Sequence, residues 1–214
     1  MISDLSIASR NENRPLPIIL VAHPRPPETY LRALDLVSLG YDCSLSPGSI
    51  DAYGGLLLVG GGDVLPAFYR GDVPARNVNF VKDELEFNLL HRFIGENKPV
   101  LAICRGFQLV NAFFGGSLKN VNGHMGKQDV YHPVSACGEI FGKLDRVNSA
   151  HRQAVDIVPD NAKIVAVAPD LTIEAAIYGK NIFCAQFHPE RMEQSVTEKI
   201  FGAFADAVEY RASR

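Results

Sequence analysis

Cys104 closes a short apolar run, Val100-Leu101-Ala102-Ile103, and is followed by Arg105-Gly106-Phe107-Gln108. An apolar run of this kind reads as a buried strand. The glycine lets the chain turn sharply into an apolar helical stretch from Phe107 to Phe114. Strand, cysteine, sharp turn and helix in this order are the layout of a nucleophile elbow, with sulfur in place of oxygen. A thiol at such a turn sits at a helix N-terminus, where the helix dipole favours thiolate. The same pattern suits an inert core cysteine, because free Cys is among the most buried residue types.

A thiolate that attacks a carbonyl needs an imidazole to protonate the leaving group and then to activate water. His188 suits that role because it follows directly on the apolar strand-like run Asn181–Phe187. Glu190 lies just past Pro189 and could fix the imidazole tautomer and stabilise imidazolium. Taken alone, His-Pro-Glu is also an ordinary turn sequence. The developing oxyanion needs two backbone donors. One candidate is the N–H of Arg105, next after the nucleophile; the other is Gly61, within Gly60-Gly61-Gly62-Asp63, where glycine permits close backbone approach. A phosphate cradle is a poor alternative for this loop, since neither GxGxxG nor a Gly-Lys-Ser/Thr ending is present; a plain tight turn stays open. A second polar island, Val147-Asn148-Ser149-Ala150-His151-Arg152-Gln153, could hydrogen-bond an amino-acid head group, although a loop of turn formers has the same composition.

The elements around these residues predict how they meet. Strands are expected at Pro17–His23, Gly55–Val59, Val100–Ile103, Ala154–Val158, Lys163–Ala168, Thr172–Tyr178 and Asn181–Phe187. Helices are expected at Glu28–Leu39, ending before Gly40, and at Asn79–Ile94, with Val81, Leu85, Leu89 and Phe93 on one face and acids on the other. A last helix begins at Ser195 with Glu198 as its capping-box partner and turns Ile200, Phe204 and Val208 inward. Gly115–Ser135, rich in Gly, Asn and His, reads as a loop or short hairpin. Strands alternate with helices early and cluster later. That order predicts an α/β fold: three layers, a mostly parallel open sheet with helices on both faces and a small antiparallel extension. Gly60–Asp63, Cys104 and His188–Glu190 then all fall at the carboxyl ends of strands, where open α/β sheets gather their functional groups.

Composition bounds the rest. The chain has 214 residues, 47% hydrophobic and 21% charged, which suits one domain with a sizeable core. A net charge of −3 without a basic cluster argues against nucleic acid, and no stretch approaches the length of a membrane span. Met1–Arg14 is polar and lacks the apolar core of a secretion signal, so it is expected as a flexible segment, with the cytoplasm as default location. Cys43, Cys104, Cys137 and Cys184 contain no CxxC, and the six histidines form no HxxxH pair and no Cys/His cluster. No metal is therefore expected.

Read together, the segments Leu56–Pro66, Ala102–Gln108, Phe114–Leu118, Val147–Gln153, Ile173–Ala175 and Gln186–Glu190 resemble, in order, the motifs of the class I glutamine amidotransferase-like family. The branch most similar is that of the γ-glutamyl-γ-aminobutyrate hydrolases and γ-glutamyl peptidases. Asp83 and Glu86 match the family's acidic pair ahead of the elbow strand. The resemblance implies a flavodoxin-like sheet, a triad of Cys104, His188 and Glu190, and an oxyanion hole from the Gly61 and Arg105 amides. It implies substrate contacts from Gln108, Asn148, Ser149 and His151, with His132 as a further candidate. It implies no cofactor, a small γ-glutamyl substrate and a homodimer. The alternatives it leaves are a glutaminase subunit passing ammonia to a separate synthetase and a non-catalytic γ-glutamyl sensor. The chain is short for this branch between Phe68 and Phe80 and around Gly123 to Val134, loops that rim the pocket, so the leaving amine is not fixed.

Overall fold

The computed structural model describes residues 17–69 and 73–213; the N-terminal segment expected to be flexible, 1–14, lies outside the described residues. In chain order the elements are β1 (Ile18–Val21), α1 (Glu28–Leu36), β2 (Tyr41–Cys43), β3 (Tyr53–Leu58), α2 (Phe80–Gly95), β4 (Val100–Ile103) and α3 (Arg105–Phe113). There follow β5 (Leu118–Asn120), β6 (Val130–Pro133), β7 (Ser135–Ala136), β8 (Arg146–Ser149), β9 (Gln153–Val155), β10 (Ala162–Val167), β11 (Ile173–Tyr178), β12 (Ile182–Ala185) and α4 (Gln194–Ala212).

An eight-stranded sheet runs β2-β1-β3-β4-β12-β11-β10-β7. The first five are parallel and the last three antiparallel to their neighbours. Successive side chains on a strand point to opposite faces, so each central strand feeds two cores. Ile19, Leu57 and Ile103 pack toward α1 and α4 against Leu34, Phe201 and Phe204. Leu20, Leu58 and Ala102 pack toward α2 and α3 against Phe93, Phe107 and Val110. This double coverage is why those strands read as unbroken apolar runs. The α/β architecture, the parallel sheet and its antiparallel extension agree with the sequence reading. No helix among the described residues is long and apolar enough to cross a membrane.

Four expectations need correction. The short strand β2 was not expected; its burial is only partial and its three residues carry no apolar run. Helix α2 buries Leu89 and Phe93 of its apolar stripe as expected, but its first turns depart from it: Val81 is 61% exposed while Asp83 and Glu86 are fully buried. The inward acids meet a buried cation described below, a tertiary demand that overrides amphipathic periodicity. Residues 115–135 do not form a hairpin of their own, since β5 pairs with β9 and β6 with β8. Helix α4 begins at Gln194 with Glu193 as N-cap and no side-chain cap bond, and Glu198 accepts instead from Gln194 Nε2 at 2.6 Å.

Candidate active site

The turn between β4 and α3 holds Cys104 at φ 54°, ψ −108°, a conformation that non-glycine residues rarely adopt. The Cys104 N–H donates to the Ala185 carbonyl of β12 at 2.7 Å, which seats the turn on the sheet. Gly106 allows the helix start to rest on β3, because a Cβ there would lie 2.6 Å from the Leu58 carbonyl oxygen. Cys104 is therefore carried out of the strand end on a fixed, strained turn.

His188 leaves the end of β12 beside it. Its Nδ1–H donates to Glu190 Oε1 at 2.8 Å. Burial pulls the imidazolium pKa down, but the Cys104 thiolate and Glu190 outweigh burial and push it up to about 10. Gly60 permits the approach: a Cβ there would meet His188 Cε1 at 3.1 Å and Cys104 Cβ at 3.7 Å. Tyr30, on α1, completes this corner. Its hydroxyl accepts from the Gly60 N–H at 3.0 Å and lies 3.4 Å from His188 Nδ1. Burial first, then the charges of Glu190 and Cys104, raises the Tyr30 pKa well above the usual range, so the phenol stays neutral. Sequence reasoning missed Tyr30, because a tyrosine in an amphipathic helix looks like core.

Gly61 and Arg105, the two candidate oxyanion donors, line the same pocket as Cys104. A Cβ on Gly61 would lie 3.2 Å from the Arg105 side chain at Cδ. Among the described residues neither the Gly61 nor the Arg105 amide has a hydrogen-bond acceptor. The Arg105 side chain points the other way, into the molecule, where it pairs with Asp83 and Glu86 of α2. Asp83 also accepts from the Leu65 N–H at 2.8 Å, tying the stretch after the glycine loop to the same helix. The acidic pair thus anchors the residue after Cys104.

A narrow pocket of about 40 Å³ opens onto Cys104, lined among others by Gly61, Arg105, Gln108, His151 and Gln153. Gln108 Nε2 donates to the Gln153 carbonyl at 2.7 Å and lies 3.3 Å from Gln186 Oε1. Of the expected substrate contacts, Gln108 and His151 reach this pocket. Asn148 instead bonds the backbone of His188, Ser149 bonds His124, and His132 faces Glu174. The fold also gathers His124, His132 and His151 around the buried Glu174. That corrects the reading that the histidines form no cluster: three stretches, residues 124–132, the turn at His151 and β11, supply the group, so local spacing carries no trace of it.

Comparison with known proteins bears on the family and the fold. The Peptidase C26 family profile matches residues 37–190. Protein NtpR of Enterococcus hirae is 29% identical over 168 residues, spanning 68% of this chain and 70% of that protein. The γ-glutamyl-CDP-amidate hydrolase of Campylobacter jejuni is 29% identical over 138 residues, 64% of this chain and 62% of that protein. A glutamine amidotransferase of Thermotoga maritima superposes with a TM-score of 0.61 at 18% identity, covering 91% of this chain and 84% of that one. The fold is that of the class I glutamine amidotransferases. Within it, the chain belongs to the Peptidase C26 family, a family of hydrolases.

Proposed function

We propose that this protein is a cysteine-dependent hydrolase that cleaves the γ-glutamyl amide bond of a small γ-glutamyl compound, releasing glutamate and an amine through a thioester. Cys104 is the nucleophile, His188 the general acid and base, and Glu190 the group that orients the imidazole. The observation that carries the reading is the meeting of a positive-φ cysteine turn with a hydrogen-bonded His188–Glu190 pair at one end of the sheet.

The Cys104 thiolate adds to the γ-carbonyl carbon, and the carbonyl oxygen takes up negative charge facing the Gly61 and Arg105 amides. Collapse breaks the C–N bond, and the His188 imidazolium gives its proton to the departing amine. The neutral imidazole then draws a proton from water, which attacks the thioester carbonyl and expels Cys104 as thiolate. Of the two expected contacts that line the pocket, Gln108 holds the glutamyl head group, while His151 only borders it, its ring nitrogens facing the Gln153 carbonyl and Glu174. Support for the γ-glutamyl bond comes from the relative named γ-glutamyl-CDP-amidate hydrolase.

A panel of γ-glutamyl amides, assayed for glutamate release with Cys104→Ala as control, tests this. Release by the wild type alone, and loss in the variant with its circular dichroism unchanged, is the expected result. Glutamine cleavage that appears only with a second protein favours an ammonia-donating subunit. Tight binding of γ-glutamyl compounds without turnover favours a sensor. Turnover retained by Cys104→Ala refutes the assignment of the nucleophile.

A further inference from the structure

Behind the catalytic pocket, Glu174 of β11 is fully buried, and neither of its carboxylate oxygens has a hydrogen-bond partner among the described residues. A buried, unsatisfied carboxylate is costly unless a cation or proton meets it. Three imidazoles surround its Oε1: His132 Nε2 at 3.3 Å, His124 Nδ1 at 3.6 Å and His151 Nε2 at 3.8 Å. These separations exceed the 2.7–3.2 Å of a normal N–H···O hydrogen bond. They lie at or up to about 0.5 Å beyond the edge of a tetrahedron of ligands, roughly 3.3 Å for metal bonds of about 2.0–2.1 Å.

The outer nitrogens of the same rings decide where their protons sit. His151 Nδ1 is 3.1 Å from the Gln153 carbonyl, His132 Nδ1 is 3.1 Å from the Pro133 carbonyl, and His124 Nε2 is 3.0 Å from Asp170 Oδ2. Each of these oxygens is an acceptor, so each outer nitrogen carries a proton, and His151 Nε2 turns a lone pair toward Glu174. Ser149 Oγ lies 3.0 Å from His124 Nδ1 and gives its own proton to the His124 carbonyl at 3.1 Å, so it faces that nitrogen as an acceptor, and a metal ion would displace the proton His124 carries there. Such a set, each imidazole backed by an oxygen acceptor, is how proteins present histidines to a metal ion.

We propose that His124, His151 and Glu174 form a binding site for a divalent cation of the zinc class, distinct from the Cys104–His188 pair, with His132 beside it. Ligand atoms of these three lie within 4.8 Å of one another. Closing around an ion therefore needs these atoms to approach by up to about 1.5 Å. The ion would fasten the 121–132 segment and the turn at His151 to β11. Its position is structural with respect to the chemistry: His151 also borders the pocket, and the Gln153 carbonyl that holds its ring also holds Gln108.

The test uses the full chain, stripped with a chelator and titrated with Co²⁺ and Zn²⁺. The wild type takes up one Co²⁺ with the visible spectrum of a four-coordinate ion, and Zn²⁺ raises its Tm. Cys104→Ser leaves both results unchanged, which separates this site from the nucleophile and makes the outcome independent of the hydrolase reading. Glu174→Gln weakens binding by at least about 100-fold. Asp170→Ala, a change at a half-exposed side chain that does not threaten folding, weakens it by about 10–100-fold. The proposal is overturned by a natively folded wild type that takes up no ion, its Glu174 neutralised instead by a proton on His132. Uptake that survives both Glu174→Gln and Asp170→Ala, or that vanishes with Cys104→Ser, overturns it equally.

Discussion

Asn148 holds the peptide of His188 from both sides. Its Oδ1 accepts from the His188 N–H at 2.8 Å, and its Nδ2 donates to the His188 carbonyl at 3.0 Å. The side chain is fully buried and bridges β8 to the end of β12. In the proposed mechanism Asn148 is a positioning residue for the imidazole, its amide being taken up by the His188 backbone and Asp129. Asn148→Ala is expected to lower kcat by about 100-fold, the effect of roughly 1 Å of misplacement at a reacting group, with KM changed little. Loss of the buried partners also costs about 1–3 kcal/mol of stability. A rise in KM with kcat intact would return Asn148 to the substrate.

Tyr30 makes a comparable demand from the opposite layer. Its hydroxyl is the acceptor for the Gly60 N–H and sits beside His188 Nδ1. Tyr30→Phe keeps the ring packing and removes one oxygen, leaving the Gly60 N–H without that acceptor. Stability is expected to fall by about 1–3 kcal/mol in urea unfolding. The glycine loop that carries the Gly61 amide loosens, so kcat falls more than KM rises. Wild-type kinetics in Tyr30→Phe would show that the loop is held without it.

How far the sequence disclosed these relations depends on their range. Cys104, His188 and Glu190 were legible because each is bound to a local strand end, and the sheet brings strand ends together whatever the loops do. Tyr30 and Asn148 act on His188 across 158 and 40 positions, and nothing local marks them. Leu89 and Phe93 of α2 face the core as expected, but its first turns were misread because Asp83 and Glu86 answer to Arg105, a partner on another element. The strand β2 and the pairings of β5 and β6 were invisible for a related reason: ladders that short are set by their partners rather than by their own periodicity.

Arg105 is the buried cation that turns α2. The guanidinium is 3% exposed, and Asp83 and Glu86 are fully buried. Burial raises the Glu86 pKa, against the opposing pull of Arg105 and Lys82. Arg105→Met strands two carboxylates and is expected to cost about 3–5 kcal/mol. The sign of the pH dependence follows from the raised Glu86 pKa: a folded state that holds a proton more tightly than the unfolded chain gains toward acid pH. The deficit of the variant therefore shrinks as pH falls, and combining Arg105→Met with Asp83→Asn and Glu86→Gln recovers most of it. Urea unfolding at several pH values checks both statements, and an additive triple variant would refute the coupling.

His188 sets the alkaline limb. Its folded pKa of about 10 stands above the ordinary 6.5. The folded state thus keeps a proton that the unfolded chain gives up, and stability falls with rising pH between those two values. The contribution is full below the lower one and gone above the higher. Cys104→Ala removes the thiolate charge that raises this pKa, so the decline in the variant begins and ends at lower pH, and the His188 ring signals in NMR titrate correspondingly earlier. Identical titration in both proteins would mean that sulfur and imidazole are not coupled.

The strain at Cys104 can be read without any substrate. At φ 54°, ψ −108° an L side chain is held in a conformation that costs about 1–3 kcal/mol. Alanine keeps the Cβ and the strain, whereas glycine adopts the turn freely and gives back about 0.4–1 kcal/mol through a more flexible unfolded chain. Both variants lack the thiol, so the comparison isolates the backbone. Cys104→Gly is expected to be more stable than Cys104→Ala by about 1 kcal/mol in chemical denaturation, the reverse of the order at an ordinary position. The turn is held in this form by the bond from Cys104 N–H to Ala185 and by the seat of Gly106 on β3. If alanine is as stable as glycine, the elbow relaxes once the sulfur is gone, and the strain belongs to the thiol's contacts rather than to the fold.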